Sequence, residues 1–285
     1  MKRARALLTK DMRADDAFRT ILGDCLTGVR THAQTLRTRR DAEALHQIRV
    51  ALRRLEVVLG AFGEAFRQSW FAQLRGRAKV VLRALGPARD LDVLLDTLWP
   101  DDARARNVIA LRRKAEAARD RAWKTVRRLI RSEDFVLLLD DLAGLEQSRL
   151  PLGGDMQVGP LSRRLLDQAA ARVRKRGHKA QGRKEETLHR LRIALKKLRY
   201  LTQAFASLYP GRRLKPYLQS VRQLQEELGH LNDLAQVHAT MARLAGDAGD
   251  RPLPGRAAKM RLRAVRLALA RYDSLRRRKP YWKRA

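Results

Sequence analysis

The sequence predicts an all-α protein built as two four-helix-bundle-like halves related by pseudo-twofold symmetry. Three observations carry that expectation. Apolar residues recur at spacings of three and four almost everywhere, β-branched alternation is nearly absent, and one segment occurs twice. Leu45-His-Gln-Ile-Arg-Val-Ala-Leu-Arg-Arg-Leu-Glu-Val-Val-Leu-Gly-Ala-Phe62 aligns without a gap on Leu188-His-Arg-Leu-Arg-Ile-Ala-Leu-Lys-Lys-Leu-Arg-Tyr-Leu-Thr-Gln-Ala-Phe205. His46 falls on His189, Arg49 on Arg192, and Arg53-Arg54 on Lys196-Lys197, an offset of 143 residues. Leu85-Gly86-x-x-x-Asp90-Leu91 repeats at that same offset as Leu228-Gly229-x-x-x-Asp233-Leu234, so one duplication explains both motifs.

Breakers and caps set the elements. The first half reads as helices over 14–37, 41–66, 69–85, 88–98, 102–131 and 133–147. Trp99-Pro100 closes the fourth, and Ser132 is an N-cap for the last. The Gly- and Pro-containing stretch 150–160 is the linker, placing one repeat in 1–150 and the other in 151–285. The second half reads as helices over 160–176, 184–208, 212–228, 231–245 and 256–278, with a loop over 246–255. The basic tail from Arg276 to Ala285 is expected to be mobile. In the duplicated helices, Leu45, Ile48, Leu52, Leu55, Leu59 and Phe62 form an apolar face, matched by Leu188, Leu191, Leu195, Leu198, Thr202 and Phe205.

Charge narrows the function. Lys and Arg number 63 against 30 Asp and Glu, a formal net charge of +33. Self-repulsion of that size opposes compaction unless a polyanion or counterions offset it. Because the excess runs along the whole chain, a folded surface carries it. The single cysteine, Cys25, excludes an intrachain disulfide and fits a reducing compartment. No apolar stretch is long enough for a signal peptide or a membrane span, so a cytoplasmic protein without membrane attachment is expected.

At 100° per residue His46, Arg49 and Arg53 share one narrow strip of their helix, about 10 Å long. His189, Arg192, Lys196 and Arg199 form the same strip one turn longer. Val50 and Val57, or Ile193 and Tyr200, lie on its far side, so the cations should line a crevice or bundle rim where water is partly excluded. Guanidinium forks and ammonium groups match phosphate oxygens. A row at one-turn spacing suits repeated negative charge better than one compact anion. Lys79 and Arg222 correspond at the common offset, and Arg75, Lys79 and Arg83 form a further stripe. The two strips are expected to converge about the pseudo-twofold axis.

Some positions keep two readings. Arg54 and Lys197 fall outside the strip, and each either contacts ligand or pairs with a carboxylate. Asp90 and Asp233 read as structural, capping a helix or holding Arg49 and Arg192 extended, in preference to a catalytic dyad. His46 and His189 either fix the neighbouring arginine as neutral hydrogen-bonding groups or act as proton-dependent phosphate donors. Neither has a second His or Cys at ligand spacing, so no metal and no cofactor is expected. The Gly177–Lys184 stretch lacks a phosphate loop's Gly-Lys-Ser/Thr ending, and no nucleophile elbow is present. The paired carboxylates, such as Asp140-Asp141, are adjacent on helices and diverge.

The twice-occurring pattern Leu-His-x-hydrophobic-Arg-Val/Ile-Ala-Leu-Arg/Lys-Arg/Lys-Leu, with Leu-Gly-x-x-x-Asp downstream, resembles the CHAD domain, the conserved histidine α-helical domain, from about Asp15 to Tyr272. The resemblance implies two four-helix bundles with a basic surface that binds long-chain inorganic polyphosphate. It also implies no activity of their own and association with polyphosphate granules. Carried over by position, the binding set is His46, Arg49, Arg53 and Arg54 with His189, Arg192, Lys196 and Lys197. The Glu-x-Glu-x-Lys signature of the CYTH triphosphatase domain fused to some members is absent, so that activity is not inherited. The Arg-rich segment 102–131 lies outside the motif. Nucleic acid is the competing partner, since charge alone serves DNA or RNA. Against that second reading, aromatic residues are only 5% and no nucleic-acid motif occurs.

Overall fold

The computed structural model describes residues 7–99, 106–149, 151–245 and 255–284. Its elements are α1 (Ala14–Thr38), α2 (Ala42–Phe66), α3 (Trp70–Ala84), α4 (Gly86–Val93), α5 (Arg106–Arg131), α6 (Glu133–Gln147), α7 (Val158–Ala180), α8 (Glu185–Ala204), α9 (Gly211–Ala245) and α10 (Gly255–Arg277). Among the described residues the only extended pairing is an isolated antiparallel bridge between Arg13 and Gln157. The protein is all-α.

The chain divides into two compact units, one formed by 15–154 with 240–245 and the other by 7–14, 155–239 and 255–284. In the first unit α2 packs on α3, α4 on α5, and α3 and α5 on α6. Its core holds an aromatic cluster in which Phe18 of α1 meets Phe62, Phe66 and Phe71 at ring-centroid distances of 5.2, 6.0 and 5.2 Å. Gly60 and Gly63 face α3: a Cβ on Gly63 would sit 2.5 Å from Phe71 Cβ, so its absence lets the two helices close on each other. The Arg-rich α5 is tied down by Trp123, whose Nε1–H donates to the buried Asp92 at 3.0 Å. Arg40 lies over the Trp123 ring at 5.0 Å and bonds Asp120 at 2.8 Å. Burial pushes the Asp92 carboxyl above its ordinary range, with Trp123 and Arg40 opposing.

In the second unit α7 packs on α8 and α10 on α7. Residues 7–14 belong to it: Ala14 N donates to Met156 O at 2.7 Å and Leu8 N to Ser207 Oγ at 3.1 Å.

Several boundaries differ from expectation for stated physical reasons. The helices expected over 212–228 and 231–245 are one helix, α9, because Gly229 alone costs a helix interior only about 1 kcal/mol. The corresponding Gly86 is followed by Pro87, which has no N–H and cannot continue α3, so that helix does end. The helix expected over 160–176 runs from Val158 to Ala180. Gly177 lies inside it, where a Cβ would overlap the Tyr272 ring. The helix expected over 88–98 is α4 followed by a π-helical turn, Leu94–Leu98. Ser132 caps α6 through its hydroxyl, which accepts from Phe135 N at 3.3 Å. Residues 102–105, most of the expected loop over 246–255, and Leu150 of the linker lie outside the described residues.

The tail expected to be mobile is docked. Tyr281–Arg284 forms a short 3-10 turn. Trp282 is fully buried and its Nε1–H donates to Asp167 at 3.0 Å, while Tyr281 packs edge-on against Tyr209 and Tyr217. Indole and phenol bury large apolar areas while keeping a polar handle, which outweighs the surrounding positive charge.

Candidate functional site: two cation-bearing clefts

The duplicated helices form where the sequence places them. Asp41 caps α2, its carboxylate accepting from Ala44 N at 2.8 Å, and Arg67 ends the helix in the left-handed region with φ 57°. All six residues of the expected apolar face are buried in α2, and all six counterparts are buried in or just after α8. The cation strips therefore stand beside the core rather than opposite it.

In the first unit Arg49, Arg53, Glu56, Lys79, Leu82, Arg83 and Gly86 line a cleft of about 310 Å³. The strip on α2 thus faces the α3 stripe, so cations from two helices meet where one row alone could not converge. Arg49 donates to Leu82 O at 2.9 Å. That carbonyl belongs to the last turn of α3, where backbone acceptors lack helical partners and the helix dipole favours a cation. Burial pulls the Arg49 guanidinium below its ordinary value, with Asp90 opposing, although an arginine stays charged. Asp90 therefore favours the charged form of Arg49.

Glu56 was not among the expected site residues. Its two oxygens receive Arg53 at 3.1 Å, Arg75 at 3.4 Å and Lys79 at 3.9 Å. The Glu56 side chain is 8% exposed, against 40% for Arg53, 30% for Arg75 and 39% for Lys79. The carboxylate lies deep and the cations project from it toward solvent. A signal existed: Glu56 stands three residues beyond Arg53 on the same strip, where the second copy carries Arg199.

In the second unit His189 and Arg192 line a cleft of about 440 Å³ with Glu185, Glu186, Leu188, Leu228, Leu231, Asn232, Ala235 and Arg261. Leu188, Leu228, Leu231 and Ala235 make part of its wall aliphatic. Glu185 pairs with Arg261 at 3.5 Å and Glu186 with Arg190, so carboxylates sit at this cleft and bind part of its positive charge. Arg261 lies outside both duplicated motifs, and Asn232 is one of the variable positions of the second, so neither carried a signal in the sequence.

The remaining expected residues divide. His46 is half-buried on α2 one turn before Arg49, whereas His189 is exposed. Arg54 points to Asp24 of α1 at 3.7 Å, the carboxylate-pairing alternative. Lys196 and Lys197 are half-buried on α8, and the Arg199 guanidinium lies over the Tyr200 ring at 4.9 Å. Arg222 is exposed on α9. Asp233 accepts from Asn232 Nδ2 at 3.5 Å. Among the described residues no group of three or more His, Cys, Asp or Glu side chains is placed to hold a metal ion. None of the described helices is long and apolar enough to cross a membrane.

Fold and site together define an all-helical protein whose cations gather in clefts beside duplicated helices. The CHAD domain family profile matches residues 20–242, and the chain belongs to that family. The crystal structure of the CHAD domain from the plant Ricinus communis superposes with a TM-score of 0.78 at 26% identity, covering 97% of this chain and 94% of that one. PptA from Streptomyces chartreusis shares the fold with a TM-score of 0.68 at 18% identity, covering 94% of this chain and 100% of that one. Two uncharacterized proteins of Mycobacterium tuberculosis, MT2285 (strain CDC 1551 / Oshkosh) and Rv2226 (strain H37Rv), are each 31% identical over 185 residues, 58% of this chain. The chain spans about a third of the length of these relatives, 35% of each.

Proposed function

We propose that this protein binds long-chain inorganic polyphosphate without acting on it chemically, in the cytoplasm and at polyphosphate granules. One observation carries the reading: four cations from α2 and α3 line one small cleft, with Arg75 beside them, around a single carboxylate. Such a cleft suits closely spaced phosphate oxygens, and its partial burial strengthens charge-assisted bonds. The stripe on α8 extends the same chemistry in the second unit. His46, Arg49, Arg53, Lys79, His189, Arg192, Lys196, Arg199 and Arg222 are the proposed contacts, with Arg54 and Lys197 supporting the fold and adding to the local positive field.

The test is direct titration with long-chain polyphosphate at several salt concentrations. Binding should weaken steeply with salt, as counterion release requires of polyanions. Ligand should raise the melting temperature, since it binds the folded surface. Replacing Arg49, Arg53, Arg192 and Lys196 together by Glu should abolish binding while helix content persists; retained affinity would place the site elsewhere. RNA or DNA displacing polyphosphate at equal phosphate concentration would favour the nucleic-acid reading. Phosphate release in Mg²⁺ or Mn²⁺ would identify an enzyme.

A further inference from the structure

We propose that Glu56 is a positioning residue that makes the first cleft selective for linear phosphate chains over other polyanions. This rests on the polyphosphate reading above and concerns how the site discriminates.

A lone carboxylate in a cation cleft has two opposed effects. Its charge weakens the attraction of every polyanion, because the long-range field depends on net charge and not on ligand shape. Its contacts also order three long side chains, and ordering Lys or Arg rotamers is otherwise a cost charged to binding. The geometry separates the two. Glu56 lies deepest, with one oxygen on Arg53 and the other shared by Arg75 and Lys79, and each cation keeps about a third of its side chain open to solvent. The ion pairs therefore hold one nitrogen of each cation at the carboxylate while part of each side chain stays open to solvent. Gly60 completes the arrangement. A Cβ there would stand 3.0 Å from Arg75 Nε, so glycine gives the Arg75 side chain room against α2. Ordered donors reward only a ligand whose oxygens match their spacing, while the charge penalty falls on all anions alike. Glu56 thus trades general affinity for selectivity. The second unit has Arg199 and Gln203 at the positions offset from Glu56 and Gly60, so this device belongs to the first cleft only.

The experiment compares wild type, Glu56→Gln and Glu56→Asp with two probes, inorganic tripolyphosphate and dextran sulfate. Glu56→Gln keeps the shape and removes the charge. It should weaken tripolyphosphate binding about tenfold, while dextran sulfate binds as tightly or more tightly. Glu56→Asp should recover part of the tripolyphosphate affinity. Tripolyphosphate binding unchanged or tightened in Glu56→Gln would overturn the inference, since Glu56 would then merely compete with ligand. Wild type failing to bind long-chain polyphosphate would instead overturn the functional reading beneath it. Should Glu56→Gln fail to fold, side-chain relaxation of Arg53 and Arg75 in unliganded wild type decides the matter. Restricted guanidinium motion is expected, and free picosecond rotation would overturn the inference.

Discussion

The segments around Leu85-Gly86 and Leu228-Gly229 start from the same motif and end differently. In the first unit Pro87 stops α3, leaving the carbonyl of Leu82 at a helix end, where Arg49 donates to it. In the second unit His230 follows the glycine, α9 runs on to Ala245, and the cleft beside Arg192 is walled in part by Leu228, Leu231 and Ala235 of that helix. Arg49 is thus anchored on a helix terminus, while Arg192 lines a cleft that an uninterrupted helix helps to wall. The carboxylates differ too. Glu56 lies beneath the first cation cluster, whereas Glu185 and Glu186 stand on the first turn of α8 beside the second cleft. Two copies of a motif can keep their cations and still build sites of unlike character, because residues around the cations, such as Pro87 and Glu56, have His230 and Arg199 as their counterparts.

The contrast can be broken most forcefully at the ligand. Reversing Arg49 and Arg53 to Glu should lower polyphosphate affinity about a thousandfold, whereas reversing Arg192 and Lys196 should lower it about tenfold, since the first cleft gathers four cations about one carboxylate and two carboxylates stand at the second. Isothermal titration of both pairs checks this, and equal losses would mean that the clefts contribute alike. The next largest effect is structural. His230→Pro imposes the first copy's sequence on α9 and should cost about 3 kcal/mol or more by removing a backbone donor and clashing with the preceding turn. Gly229→Ala should stabilise by about 0.5–1 kcal/mol, because a Cβ there meets nothing within 4 Å. Urea denaturation measures both; a neutral proline would show that α9 is already broken in solution.

The smallest effect concerns the thiol carried by the first unit alone. Burial pushes the Cys25 thiol from an ordinary 9.0 to about 11, with the charge of Arg54 opposing. A group whose folded pKa is raised contributes stability that is fully present below the unfolded pKa and lost as pH rises. Denaturation midpoints should therefore be insensitive to Cys25 up to about pH 9 and fall between 9 and 11, a fall that Cys25→Ala should reduce. In the native protein at pH 8.5 the thiol should resist iodoacetamide and react only after unfolding.

Most of the fold was readable from periodicity and punctuation. The two duplicated helices, their twelve buried face positions, α1 and the capped α6 stand where spacing and caps put them. Glycine misled at 177 and 229, because its weight as a breaker depends on what packs against it. The tail misled because its charge concealed an aromatic pair that reaches a partner remote in sequence, at Asp167. The strip of cations was visible as an angle on a helix. That α3 presents a second row to it depends on a hairpin closed by Gly60 and Gly63, and Glu56 is an acidic residue on a strip otherwise made of His46, Arg49 and Arg53.

The docked tail has a practical consequence. Of the four tryptophans, Trp70, Trp99 and Trp123 lie in the first unit and Trp282 is the lone indole of the second. Replacing the first three by phenylalanine would leave a single indole, excited selectively at the red edge of the absorption band, shielded from solvent quenchers and held by a carboxylate. Its emission would follow the melting of one half of the molecule while circular dichroism recorded both.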